Sequence, residues 1–306
     1  MRTSCVWVVW LTPVVAMKMY WTDFDSGKIH RRDVDGGTVE ELVNDGLVNP
    51  LGIALDVTAG KMYWTDFGTA KIQRSDLDGG NVEDLVTKGL NHPFGIALDV
   101  AADKMYWTDL GTAKIQRSNL DGSSVEDIIT NVLRTGIALD VAAGKMYLTH
   151  HYVFNGSAKI HRCNLDGSIV ENLVTTDLSY PSGIALDVAA DRMYWADWGY
   201  REIRRNTLNG SSTERLVTST RNIKLRNMGD SAGLALDVAA GKMYWTDAGT
   251  SKIHRSDLDG SSVEDLVTTG ITSPQGIALD VTVAQRSTTK YANKNTGSSE
   301  SPFFLP

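Results

Sequence analysis

Cysteine is nearly absent from this 306-residue chain: Cys5 and Cys163 are too few for a disulfide framework. Cys163 stands where parallel stretches of the sequence have Ser75, Ser118 and Ser256, so it reads as a small packing residue, not a reactive thiol. Basic charge is in deficit. A net charge of −7 argues against a general nucleic-acid or anionic-membrane binder, which would be basic. No apolar run reaches the roughly 18 residues that a helical membrane span requires. No segment shows a helical period. H-E-x-x-H, Walker A and C-x-x-C are missing too, which removes the usual signatures of zinc hydrolysis, phosphate transfer and dithiol chemistry. No catalytic residue, metal ligand or cofactor is assigned.

What the chain does have is an echo. Tyr20-Trp21-Thr22-Asp23 returns at Tyr63 to Asp66, Tyr106 to Asp109 and Tyr244 to Asp247. Weaker copies stand at Tyr147 to His150 (YLTH) and Tyr194 to Asp197 (YWAD). Six copies at a spacing of 41 to 50 residues are an architecture, and the chain carries its own internal alignment. Each unit reads as four short strands. In the second, Gly52 to Val57 (GIALDV) is apolar on both alternating faces and should be buried on both sides. Lys61 to Asp66 follows, then Ala70 to Ser75, then the mixed run Asn81 to Val86, which should be outermost. Gly, Asp and Pro punctuate the runs. Strands graded from buried to exposed, six times over, describe an all-β, six-bladed β-propeller with four antiparallel strands per blade.

The residues also carry a resemblance. YWTD, preceded by GIALDV and followed by KIxR and LDG over about residues 17 to 282, resembles the YWTD repeat of low-density lipoprotein receptors, nidogen and Wnt co-receptors. The resemblance implies a propeller with GIALDV innermost and YWTD on the second strand. It also implies a binding module outside the cytoplasm. The cysteine-rich modules that often flank such propellers have no counterpart in this sequence.

The chain enters on a YWTD strand with no GIALDV before it and leaves on Gly276 to Val281 with no YWTD after it. The ring is therefore expected to close by residues 276–281 supplying the innermost strand of blade one, leaving no open sheet edge. Residues 1–16, with a short apolar run from Cys5 to Val15, have the layout of a signal peptide cut after Ala16 or of a degenerate first strand. Residues 17–285 form the propeller and 286–306 a flexible, polar tail. A working leader would place the protein outside the cell or in a periplasm. A monomer is expected.

The repeated acids invite a calcium or paired-carboxylate reading. Their symmetry favours a structural one, because Asp side chains cap turns and a real site breaks symmetry. The KIxR cations are expected to pair with the equally periodic acids. His30, His161 and His254 share a position with Gln73 and Gln116, an interchange that suggests an exposed polar slot.

Symmetry breaks in three places: a short link at Asn131 to Thr135, a long turn from His150 to Gly156, and a long link through Arg221 to Arg226. Turns after the second strand and links between blades should open on one rim, over blades four to six. There His150, His151, Tyr152, Phe154, Trp198, Tyr200, Arg201, Arg221, Lys224 and Arg226 make a candidate patch of aromatics and cations for a protein or peptide partner. His150 and His151 would make binding change between about pH 5 and 7.5. The rival readings are a propeller hydrolase of the lactonase or strictosidine-synthase type, with a channel metal, and a structural spacer.

Overall fold

The gradient of polarity along each repeat becomes the strand order of each blade. The computed structural model describes residues 17–131, 136–150, 158–218 and 233–281. Among these residues lie 24 strands, β1 (Lys18–Asp23) to β24 (Pro274–Asp280), and no helix. They form six antiparallel four-stranded sheets. Blade two is β4 (Pro50–Asp56), β5 (Lys61–Asp66), β6 (Lys71–Asp76) and β7 (Glu83–Val86), in that order from the ring's centre outward. One compact unit runs from Ala16 to Val281. The leader and tail expected from the sequence lie outside the described residues.

Period-two alternation along YWTD decides which blade each side chain touches. Met62 and Trp64 point back to blade one, packing with Tyr20, Ile29 and Val43. Tyr63 points forward, packing with Met105, Trp107 and Ile96 of blade three. Both faces of every blade are thus apolar, and each such side chain contributes on the order of 1.5–3 kcal/mol by burial. The motif aromatics are inter-blade packing, as their periodicity suggests.

The threonine of the motif ties inner strands across the blade boundary. Thr65 Oγ1 accepts from Gly52 N of its own blade at 2.9 Å and donates to Phe94 O of the next at 2.6 Å. Thr22 and Thr246 do the same. The blades approach so closely here that a Cβ on Gly52 would lie 2.6 Å from Phe94 O, which is why this position is glycine.

The KIxR arginine ties the outer half. Arg74 lies over Tyr63 at 5.7 Å, pairs with Glu83 of β7 at 2.6 Å and donates to Leu120 O of blade three at 3.3 Å. The Lys of the same strand meets the outer acid, as in Lys71–Asp84 at 2.8 Å. These cations are paired, as the periodic acids suggested.

The ring closes as expected, with slightly wider bounds. β24 pairs with β1 through Lys18↔Asp280, Met19↔Leu279, Tyr20↔Ala278 and Trp21↔Ile277. Asp23 accepts backbone N–H groups from Thr272 and Ser273, so the first strand and the segment entering the last one share one hydrogen-bond network.

One expectation fails. The slot of His30, Gln73, Gln116 and His161 is buried, not exposed: these residues are 2 to 5% accessible. The reason is register. The slot sits opposite the motif tryptophan, as in Trp64↔Gln73, and lies beneath it. Gln73 accepts from Trp64 Nε1 at 3.1 Å and donates to Asp84, a relay that only a partnered polar side chain can complete in the interior. His30 and His254 stack on Trp21 and Trp245 instead.

Candidate binding rim

The last residue of YWTD builds one rim of the ring. Asp66 accepts from Val48 N in the link that enters its blade, and from Gly68 and Thr69 N in the turn that follows. Gly68 N in turn donates to Val48 O at 2.7 Å. Link and turn are thereby held on the same rim. The GIALDV and LDG acids are also turn residues, as in Asp56 accepting from Ala59 N and Asp78 from Gly80 N. Each repeated carboxylate traced has a backbone donor, which supports the structural reading of these acids.

Blade five departs most from this plan within the described residues. It comprises β16 (Pro181–Asp187), β17 (Arg192–Asp197), β18 (Glu202–Thr207) and β19 (Glu214–Thr218). Asp197 accepts from Ser179, Tyr180 and Tyr200 N, fixing link against turn. The turn is Trp198-Gly199-Tyr200-Arg201, in which Arg201 has φ 60° and donates its N–H to Trp198 O. A Cβ on Gly199 would meet Ser179 Oγ at 2.2 Å, so the close approach requires glycine. The Tyr180 and Trp198 rings stack at 4.1 Å. Tyr200 is 45% exposed and lies against the Arg204 guanidinium at 4.6 Å.

Arg204 is fully buried and holds Glu202 at 2.6 Å and Asp177 at 3.1 Å; the half-exposed Arg215 reaches Asp177 at 3.1 Å. Asp177, Tyr180, Arg204 and Arg215 escaped the sequence reading. The signal was present: Glu202-Ile203-Arg204-Arg205 replaces K-I-x-R, and Arg215 replaces the acid found at Asp84 and Asp127. A second aromatic group escaped it too. Phe67 on the same rim stacks on His92 at 4.2 Å and leans on Phe24 at 6.1 Å, spanning blades one to three.

Of the residues expected on the rim, Trp198, Tyr200 and Arg201 stand together in one turn. His151, Tyr152, Phe154, Arg221, Lys224 and Arg226 lie outside the described residues. His150 is a correction. It is 3% accessible because it occupies the place of the motif's buried aspartate, and it packs edge-on against His161 at 6.1 Å. Burial, with Lys159 nearby, pushes both imidazoles down to about 4. They are neutral from pH 5 to 7.5, so His150 does not supply the pH response expected of it, while His151 lies outside the described residues. Burial also pushes the Cys163 thiol up to about 11, in keeping with a packing role.

The centre of the ring is a cavity of about 110 Å³ lined by Gly52, Ile53, Gly95, Ile96 and their counterparts in the other blades, with Leu51 and Phe94. Among the described residues, no group of three or more His, Cys, Asp or Glu is placed to hold a metal ion. The sequence does hold a nucleophile spelling: Gly229-Asp230-Ser231-Ala232-Gly233 fits G-x-S-x-G. That elbow requires a strand-to-helix turn. Here Gly233 leads into strand β20 (Leu234–Asp237) and donates to Gln275 O, and residues 229–232 lie outside the described residues. Among the described residues, no helix is long and apolar enough to cross a membrane.

Fold and rim together define a six-bladed β-propeller whose blades are YWTD repeats. The family model described as low-density lipoprotein receptor repeat class B matches residues 17–57, 60–100, 103–141, 191–238 and 241–281. The chain belongs to that family. Its fourth copy, where YWTD has become YLTH, is not among the matched segments. Propellers of this family are generally non-enzymatic binding modules and typically extracellular. Among solved structures, a chain from a crystal structure of a nidogen/laminin complex is similar at TM-score 0.74 and 22% identity, over 86% of this chain and 98% of that one. TolB from Acinetobacter baumannii is similar at TM-score 0.67 and 15% identity, over 86% of this chain and 66% of that one. At these identities the likeness is one of fold.

Proposed function

We propose that this protein is a non-enzymatic propeller that presents its link-and-turn rim, centred on blade five, to a protein or peptide partner outside the cytoplasm. The observation that carries the reading is the blade-five turn. Stacked Tyr180 and Trp198, exposed Tyr200 over Arg204, and exposed Arg201 form a rigid aromatic and cationic surface of the composition found at interface hot spots. Rigid aromatics lose little entropy on binding, and the backbone donors to Asp197 hold the turn in place beforehand. An enzymatic reading has less support, because Gly, Ile, Leu and Phe line the channel where a hydrolase would need carboxylates or imidazoles. The protein acts as a monomer in this reading.

Laminin is the first partner to test, because a similar propeller was crystallised in a nidogen/laminin complex. Immobilised protein would be exposed to laminin and to an extracellular-matrix extract, with a Trp198→Ala, Tyr200→Ala, Arg201→Ala variant in parallel. The expected result is a captured partner that the variant loses at least 10-fold, at about 1.4 kcal/mol per decade. Equal capture by both proteins would remove blade five from the interface.

A further inference from the structure

We propose that Asn209 is an acceptor for an N-linked glycan. Asn209-Gly210-Ser211 has the acceptor form N-x-S with x other than Pro. It lies in the LDG-type turn of blade five. The five other blades have Asp35, Asp78, Asp121, Asp166 and Asp259 at this position, and a carboxylate cannot accept the sugar. The turn is otherwise of the same kind. Asn209 Oδ1 accepts from Ser211 N at 3.1 Å, as Asp259 Oδ1 does from Ser261 N at 2.9 Å. It also accepts from Thr207 Oγ1 at 2.6 Å.

Every hydrogen bond described for Asn209 is thus received by its oxygen, and the residue is exposed. Glycosylation keeps that carbonyl and one N–H, so the turn survives the modification. Gly210 has φ +78°, and a Cβ on it would lie 2.2 Å from Leu173 O of blade four. The turn is therefore seated against its neighbour through Gly210, with Asn209 exposed beside it. In the transfer, Nδ2 bonds the anomeric carbon of a lipid-pyrophosphate-linked oligosaccharide. The carbon's bond to the pyrophosphate oxygen breaks, and one amide proton leaves with the lipid pyrophosphate.

Position makes the modification compatible with binding. Leu208 N donates to Asp191 O, which ties this turn to the rim opposite Trp198. The two rims are separated by the six-residue strands β17 and β18, roughly 20 Å at the usual rise. A glycan at Asn209 shields one rim and leaves the other open. The proposal rests on the reading that the chain enters a secretory compartment, not on the identity of any partner.

The full chain, with its own N-terminus, would be expressed in a eukaryotic secretory host and recovered from both medium and cells. Peptide N-glycosidase release in heavy-oxygen water, beside a mock digest without the enzyme, followed by peptide mass spectrometry, distinguishes sugar release from spontaneous Asn-Gly deamidation. The sequon Asn155-Gly156-Ser157, outside the described residues, lies on a separate peptide. The expected result is a heavy-oxygen aspartate at position 209 in wild type, absent in Asn209→Asp and Ser211→Ala and retained in Ser212→Ala. Asn209→Asp should fold normally, since five blades carry Asp there. An Asn209 peptide without sugar in the wild-type protein, from medium or cells, overturns the proposal. The rim experiment is read separately, on substitutions at the other end of the strands.

Discussion

Blades two and three are close copies of each other, whereas blades four and five depart from them at matching positions. In blade two, Lys71 and Gln73 both bond Asp84, and Gln73 also receives Trp64 Nε1. In blade five the same three places hold Glu202, Arg204 and Arg215: the Lys and Asp places exchange sign, and the neutral Gln place becomes a cation. In blade four the slot is His161, over Leu148 instead of tryptophan. The backbone ladders around these changes keep their register. Blades two and three close the polar set by hydrogen bonds and blade five by ion pairs, whereas His30 of blade one stacks on Trp21. The apolar face, the inter-blade arginine and the inner glycine persist in both: Arg205 still lies over Tyr194 and donates to Leu258 O of blade six.

The comparison breaks most severely if the ring itself opens. Truncation after Gln275 removes most of β24 and with it the inner partner of β1. It is expected to cost more than about 5 kcal/mol, beyond the usual range for one substitution. A melting transition unchanged from the full chain would show that blade one does not need its C-terminal strand.

Inverting one charge of blade five tests whether its network is a matched set. Glu202→Lys leaves buried Arg204 beside a cation and should cost about 3–5 kcal/mol. Adding Arg204→Gln and Arg215→Asp recreates the blade-two trio and should recover most of the loss. If the triple variant is no more stable than the single one in urea titration, the three positions are not interchangeable between blades.

The inner hydroxyl separates the two blades more gently, because blade five has Ala196 where blade two has Thr65. Thr65→Val keeps the shape but strands Gly52 N and Phe94 O, and should cost about 1–3 kcal/mol. A loss below a few tenths would mean that the ring tolerates the absence of this hydroxyl at any blade.

A pH-dependent effect separates blade four. His161 has a folded pKa of about 4 against 6.5 for the ordinary side chain. It takes up a proton on unfolding anywhere between those values. Its contribution to stability is complete above pH 6.5 and is lost as pH falls toward 4, by about 2 kcal/mol at pH 5. His161→Gln, the residue of blades two and three, should shrink the drop in stability between pH 7 and 5 by about that amount. A variant whose drop matches wild type would place the acid sensitivity elsewhere.

Strand number, blade number, the innermost place of GIALDV and closure through the last strand were all legible from period and polarity, because repetition averages out local ambiguity. The rim was legible in part. Trp198, Tyr200 and Arg201 were visible as residues that broke the pattern. Tyr180 and Arg204 were not, because their roles depend on a link and a third strand meeting in space. His150 was misread because a histidine in a long turn looks exposed until its strand register places it at the buried aspartate position. The slot of Gln73 and His161 was misread for the same reason: interchange of Gln and His says polar but not where.

The sequence by itself determined the ring. Six copies of one apolar alternation can bury both faces of every blade only by packing against each other in a closed circle. The tertiary structure alone decided which polar residues lie inside and which face water. That depends on which side chain of a neighbouring strand or blade stands opposite, and strand pairing at a distance sets it. Blade five shows both at once. Its apolar residues follow the repeat, while Glu202, Arg204 and Arg215 make sense only when Asp177 and Tyr200 are seen beside them.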